Sequence, residues 1–331
     1  MKERNITLDI MKGIGIILMV IGHAGCPSFL RNFIYTFHMP LFFMISGYLV
    51  NGNKPQIIKR IKALYYPFLF WGLLSLALSY PLYISGINPS PYNLNEYITH
   101  LIKIITFAQP EPISGPLWFL KSLFLAYIFI SIIIWKTKGN KYQNYIISLL
   151  CFIMLCLGFI LYEYKGWLPY NIQRELMIPW LIYLGYIIKT KSKQNPKPLP
   201  FILIILSFIV LLLSGQYVTL ELIASKIGNP IFLTIYALMG FIMVYSTSYR
   251  IQQLNYKFTS LLVYIGRNTM PILILHLACF KLTQFVLSYL TDLDFQPDHI
   301  YLYYSPYWPL YSIMGIGIPL ILNFLYLNIK K

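Results

Sequence analysis

The sequence predicts an all-α, polytopic integral membrane protein of about ten transmembrane helices with both termini in the cytoplasm, and three observations predict it. The 331 residues are 58% hydrophobic and only 11% charged. The apolar residues come in long runs and the charges fall in the short gaps between them, which is the composition of a chain that crosses a bilayer many times. Those gaps alternate in sign along the chain, as the orientation rule for short loops requires.

Taken in order, the apolar runs place spans at about 8–28, 31–50, 64–84, 117–135, 143–162, 172–188, 200–215, 229–247, 269–289 and 308–328, each near the ~20 residues a bilayer needs. The first is apolar through GIGIILMVIGHAG, and the second, FIYTFHMPLFFMISGYLV, carries Pro40. Residues 86–116 are rich in Pro, Asn and Ser and read as a lid or a short surface helix. The sixth span has the weakest pattern: LMIPWLIYLGYII is short for a bilayer, and Arg174 and Glu175 stand just before it. Gln194-Asn195-Pro196-Lys197-Pro198 reads as a stiff loop ahead of the seventh. Asn268 as N-cap and Pro271 in the first turn start the ninth. No internal repeat divides the chain, and residues 1–331 read as a single transmembrane domain.

Charge fixes the expected orientation. One side of the membrane receives Lys2, Arg4 and Lys12, the cluster Lys54–Lys62, then Lys136, Lys138 and Lys141, then Lys189–Lys197, then Arg250, Lys257 and Arg267, and last Lys330 and Lys331. The other receives every acid except Glu3 and Asp9: Glu96, Glu111, Glu163, Glu175, Glu221, Asp292, Asp294 and Asp298. Short basic loops resist translocation, so the basic side is cytoplasmic. The net charge of +16 therefore concerns topology and anionic lipid, not nucleic acid. No removable signal peptide is expected, because the first run leads into HAGCPSF without a small-x-small cleavage site. Cys151, Cys156 and Cys279 lie in apolar runs as small hydrophobes, so no disulfide framework is indicated.

Three histidines, His23, His38 and His276, fall inside these apolar runs. An ionisable ring at membrane depth is costly and marks a candidate site. His23 lies roughly 16 Å of helix from Lys12, His38 roughly 20 Å from Asn51, and His276 roughly 14 Å from Arg267, which puts all three near the middle of the bilayer. They could share one cavity. Eleven residues at 100° each bring Lys12 and His23 to within roughly 20° of one direction, and Asp9 is close enough to pair with Lys12. A cation at the inner mouth with a base deeper in the membrane suits acyl transfer. A neutral imidazole can take the proton of a hydroxyl as it attacks a thioester, while an acyl-CoA is held at the cytoplasmic rim by its phosphates.

The order LDIMKGIGIILMVIGH, FHMPLFFMISGYLV, GPLWFLKSLFLAY and IGRNTMPILILH resembles the integral-membrane O-acyltransferases called acyltransferase family 3, near their sugar O-acetylase branch. The motifs span residues 8–276. The resemblance implies transfer of an acyl group, commonly acetyl from acetyl-CoA as donor substrate with no bound cofactor, to hydroxyls of exported sugars, cell-wall polymers or lipid-linked glycans. It puts His23 at the family's essential histidine, assigned as general base. Lys12 falls where the family usually has arginine, keeping the charge without the bidentate fork. His38 matches the branch with His-x-Pro before the Phe-Phe pair, and Ser46 and Gly47 match its Ser-Gly-Tyr ending. No hydrolase-like domain follows the tenth span, so the membrane part is expected to acylate its acceptor directly.

Each candidate binding residue also has a plain structural reading. His38 can donate to a backbone carbonyl left free near Pro40, and His276 is equally balanced between a structural and a substrate role. Arg267 is either a positive-inside anchor or a donor ligand, and Asn268 is explained as a cap. Trp118 fits the interfacial aromatic belt or sugar stacking; Glu175 pairs with Arg174 or binds sugar hydroxyls. Beside the enzyme reading stand a transporter or flippase for a lipid-linked saccharide, which lacks the two-fold repeat common in transporters, and a three-histidine metal centre, which lacks second-shell carboxylates. The acceptor and the oligomeric state have no signature in the sequence.

Overall fold

The structure is a computed structural model and describes residues 5–329 except 53, 111, 167, 193–196, 219, 255–256, 292, 294, 296–301 and 303. Of the charges sorted above, Lys2, Glu3, Arg4, Glu111, Lys193, Asp292, Asp294, Asp298, Lys330 and Lys331 lie outside the described residues, as do Gln194, Asn195 and Pro196. The regular structure of the described residues is all helical, with one isolated bridge between Glu221 and Lys226 and no strand.

Helix α1, Ile6–His23, is started by Asn5, whose side chain accepts from the Leu8 amide at 3.1 Å. It stops five residues earlier than the apolar pattern suggests. Gly25 takes φ +77° and Pro27 follows, which is how a helix C-terminus is written in sequence. Helix α2, Ser28–Tyr48, holds Pro40 in its interior. Helix α3, Ile57–Arg60, runs through a π-turn at Ile61–Tyr65 into α4, Tyr66–Ile84. The segment expected as a lid or surface helix contains α5, Leu94–Ile105, set by a capping box in which Asn93 accepts from the Glu96 amide and Glu96 accepts from the Asn93 amide, both at 2.9 Å. A 3-10 segment, Pro112–Leu117, leads into α6, Trp118–Lys136. Then come α7, Gln143–Lys165; α8, Ile172–Lys191; α9, Phe201–Ser214; α10, Pro230–Leu254; α11, Lys257–Arg267; α12, Thr269–Leu290; and α13, Trp308–Ile329.

Among the described residues, seven helical stretches are long and apolar enough to cross a membrane: Ile6–His23, Ile57–Ile84, Pro112–Lys136, Gln143–Lys165, Pro230–Leu254, Thr269–Leu290 and Trp308–Ile329. The other three expected spans are helices that fall short of that standard for physical reasons. At 14 residues α9 reaches only about 21 Å. Helices α2 and α8 are long enough at 21 and 20 residues but are diluted by polar groups, among them Arg31, Asn32 and His38 in one and Gln173, Arg174 and Glu175 in the other. The core is apolar, but much of the outer surface is apolar as well and several charges are buried. Phe201, Ile202, Leu149, Ile153, Ile321 and Phe324 are exposed, while Asp9, His38, Lys121, Arg174, His276 and Lys281 are buried. Cys151, Cys156 and Cys279 are thiols.

The helices divide into two compact units, each assembled from separated parts of the chain. The first comprises Met1–Leu18, Phe29–Arg60 and Ser122–Arg267. Within it α7 packs along α8, and α2 meets α8 where Gly47 and Gly185 let the two backbones touch: a Cβ on Gly47 would collide with the Ile182 carbonyl, and one on Gly185 with that of Met44. Small residues at crossings are how helices associate in lipid, where no hydrophobic force drives them together. The second unit comprises Met19–Ser28, Ile61–Lys121 and Asn268–Lys331. In it α12 packs on α13 and on the Pro112–Leu117 segment, and α4 packs on α5. The Ser305 amide closes it over the turn after α1 by donating to the Gly25 carbonyl at 3.0 Å.

Candidate active site

Two of the three histidines meet inside the second unit. His23, the last residue of α1, places Nδ1 3.0 Å from Nε2 of His276, in the body of α12. The ring centres are 5.3 Å apart and the planes differ by 19°, so the rings meet edge to edge along the N···N line rather than face to face. His276 is wholly buried, whereas His23 keeps some exposure. The other nitrogen of His276, Nδ1, lies 2.9 Å from the Ile272 carbonyl and 3.0 Å from that of Leu273. A carbonyl only accepts, so that Nδ1 carries the hydrogen, and in a neutral ring Nε2 is then the acceptor. With both rings neutral, His23 supplies the proton of the shared bond from its own Nδ1 and keeps its lone pair on Nε2. Phe280 stands edge-on to the His276 ring at 5.6 Å, in space that Gly315 of α13 leaves open.

Three charged residues gather in the first unit. Asp9, only 2% exposed, faces Lys12 Nζ at 3.6 Å and Arg267 Nε at 3.1 Å. The Asp9–Lys12 pair is the one expected from their spacing. Arg267 joins through a helix absent from the sequence reading, α11, whose buried face is Thr259, Leu262, Ile265 and Gly266. That spacing is an amphipathic pattern, legible in KFTSLLVYIGR yet too polar overall to stand out among membrane spans. Helix α11 lies against α1 backbone to backbone. A Cβ on Gly266 would overlap the Asp9 carbonyl, and one on Gly13 that of Leu262. The Asp9 carboxylate thus lies between two cations of the kind that bind phosphate.

The remaining candidates fall as follows. His38 is 4% exposed and in the first unit, its Nδ1 2.9 Å from the Ile34 carbonyl. It bonds a carbonyl one turn back on its own helix. The Ser46 hydroxyl donates to the Phe42 carbonyl at 2.9 Å, on its own helix. Trp118 is 8% exposed and packs edge-on to Phe119, so it is a buried ring and not a lipid-facing member of an aromatic belt. Glu175 pairs with Arg174 at 2.7 Å, and the guanidinium also donates to the Ile223 carbonyl at 3.4 Å. Asn268 occupies the N-cap position of α12 but its side chain does not cap; its Oδ1 accepts from Asn323 Nδ2 at 2.9 Å instead. Among the described residues no three His, Cys, Asp or Glu stand close enough to hold a metal ion.

Two buried lysines were passed over in the sequence. Lys281, in α12, donates to Asn88 Oδ1 at 3.3 Å, and Lys121, in α6, donates to the Ala108 carbonyl at 3.1 Å. Gln284, one turn beyond Lys281, keeps a buried Oε1 that has no hydrogen-bond partner among the described residues. An ionisable residue inside an apolar run was the signal that singled out the histidines, and it applied equally to both lysines.

A helical chain with apolar exteriors, buried charges and seven apolar helices of membrane-crossing length among the described residues is a multi-pass membrane protein. The chain belongs to the family described as the acyltransferase domain, which matches residues 5–324. It is similar to the nodulation protein NolL of Sinorhizobium fredii, 41% identical over 86 residues that cover 21% of this chain and 24% of that protein. It is also similar to the nodulation protein NolL of Mesorhizobium japonicum, 29% identical over 163 residues, 44% of this chain and 39% of that protein. The chain thus spans well under half the length of either relative. No solved structure matches it.

Proposed function

We propose that the chain is an O-acyltransferase of the cell membrane that moves an acyl group, acetyl by preference, from cytoplasmic acyl-CoA to a hydroxyl of an exported or lipid-linked sugar or cell-surface glycan. The observation that carries this reading is the imidazole pair at the end of α1 in a chain of the acyltransferase family. His23 Nε2 takes the proton as the acceptor oxygen bonds the thioester carbon; the C–S bond breaks, and the proton passes from His23 to the departing thiolate. The positive end of the proton's path is favoured where it sits, since a helix C-terminus stabilises a cation. Phosphates of the donor are met by Lys12 and Arg267 around Asp9. The partners are therefore acyl-CoA, a sugar acceptor and the bilayer. The charge pattern of the loops supports ten crossings in one transmembrane domain with both termini cytoplasmic.

The reading is tested with purified protein in lipid nanodiscs, by following acetyl-CoA consumption with and without candidate glycans, and by mass spectrometry of surface glycans from cells with and without the chain. A mass increment of one acyl group that depends on the chain is the expected result; glycan movement across vesicles without acyl-CoA use would establish a transporter instead. Lys12→Gln is expected to raise the KM for acyl-CoA about tenfold, the loss of one charge-assisted contact, while Lys12→Arg keeps or lowers it. Steady-state kinetics with varied donor check this.

A further inference from the structure

We propose that His276 is the positioning residue of the base: it fixes His23 in the tautomer whose lone pair is on Nε2 and holds the ring in place while that nitrogen works. The inference rests on His23 acting as general base, and it reassigns His276 from substrate contact to orientation. Three observations carry it. The Nδ1···Nε2 bond is 3.0 Å and close to coplanar, so it aligns with the His276 lone pair. The far nitrogen of His276 is anchored on the carbonyls of Ile272 and Leu273, within its own helix, which leaves the ring one tautomer and one orientation. Phe280, seated in the gap at Gly315, closes the side of the ring.

The proton balance follows from the same bonds. When the acceptor hydroxyl gives its proton to His23 Nε2, the imidazolium still donates from Nδ1 to His276, and that bond strengthens as the charge appears. Passing the Nδ1 proton onward would create a cation on His276, which has no exposed surface, at a large desolvation cost. The charge therefore remains on His23. His276 acts as the orienting partner behind the base, the place that a carboxylate fills in serine hydrolases, here filled by a neutral ring.

The test uses the full chain in nanodiscs with 15N-labelled histidine, at a pH where the rings are neutral, with His23→Ala identifying the His23 signals. The expected spectrum shows His23 protonated at Nδ1 and bare at Nε2. In His276→Ala the two tautomers of His23 mix, and kcat falls at least about 10- to 100-fold, the loss seen when the second-shell partner of a metal-bound histidine is removed, with the acyl-donor KM unchanged. His276→Gln, whose carbonyl can accept from Nδ1, recovers part of the rate. A wild-type spectrum with Nδ1 bare, or a wild-type kcat in His276→Ala while His23→Ala is inactive, overturns this role alone. Full activity of His23→Ala overturns the base assignment, and this role with it. If His276→Ala does not fold, the wild-type spectrum and His276→Gln decide.

Discussion

Replacing His23 with alanine is expected to leave a protein that inserts and folds but transfers acyl groups about 10²- to 10⁴-fold more slowly, the contribution of a general base. The fold should survive because His23 is the final residue of α1 and keeps some exposure, so its removal opens no sealed cavity within the helix packing. The loss should fall on kcat, since the imidazole meets a proton that moves only in the transition state. Binding of acyl-CoA, measured by equilibrium titration, should be close to that of the native protein. Wild-type turnover in His23→Ala would show that the chemistry is done elsewhere in the chain.

The second large effect is expected from a glycine. In Gly266→Ala the new methyl would occupy the space of the Asp9 carbonyl oxygen, and because both sides of the contact are backbone neither can yield by a rotamer change. Helix α11 must move off α1, which separates Arg267 from Asp9. Overpacking of this kind costs about 1–3 kcal/mol and more where backbone meets backbone. The measurable outcome is a lower thermal unfolding midpoint together with weaker acyl-CoA binding. A variant with the native midpoint and affinity would mean that this helix contact contributes nothing to either.

Much of the fold was legible because its signals are simple. Apolar runs marked every helix later found to be long and apolar enough to cross a membrane, and the capping box Asn93–Glu96 lay in the segment read as lid or surface helix. Helix α11 escaped because a short amphipathic helix with polar ends resembles a loop when the eye is set for spans of ~20 residues. The early stop of α1 escaped for the opposite reason: apolar composition continues through Ala24 and Cys26, and only Gly25 and Pro27 say that the backbone turns. Of the two clusters, His23 and His276 in the one and Lys12 and Arg267 in the other were all named from sequence. Their partnerships were less accessible. The Asp9–Lys12 pair follows from helix spacing, but Asp9–Arg267 and His23–His276 join residues more than half the chain apart, and no local pattern encodes which distant nitrogen meets which. Asn268 shows the converse: a residue type that favours a cap bonded across to Asn323 because a partner was within reach.

The peptide oxygens of Ile272 and Leu273 close the far side of the imidazole pair, and a peptide oxygen takes up no proton under physiological conditions. The pair is for that reason a blind alley and not a wire across the bilayer. On the proposed reading, the proton that His23 takes up at Nε2 leaves by the same nitrogen, onto the sulfur set free from the donor. Turnover then neither draws on nor dissipates the proton-motive force, and an uncoupler that collapses the gradient across sealed vesicles should leave the rate intact.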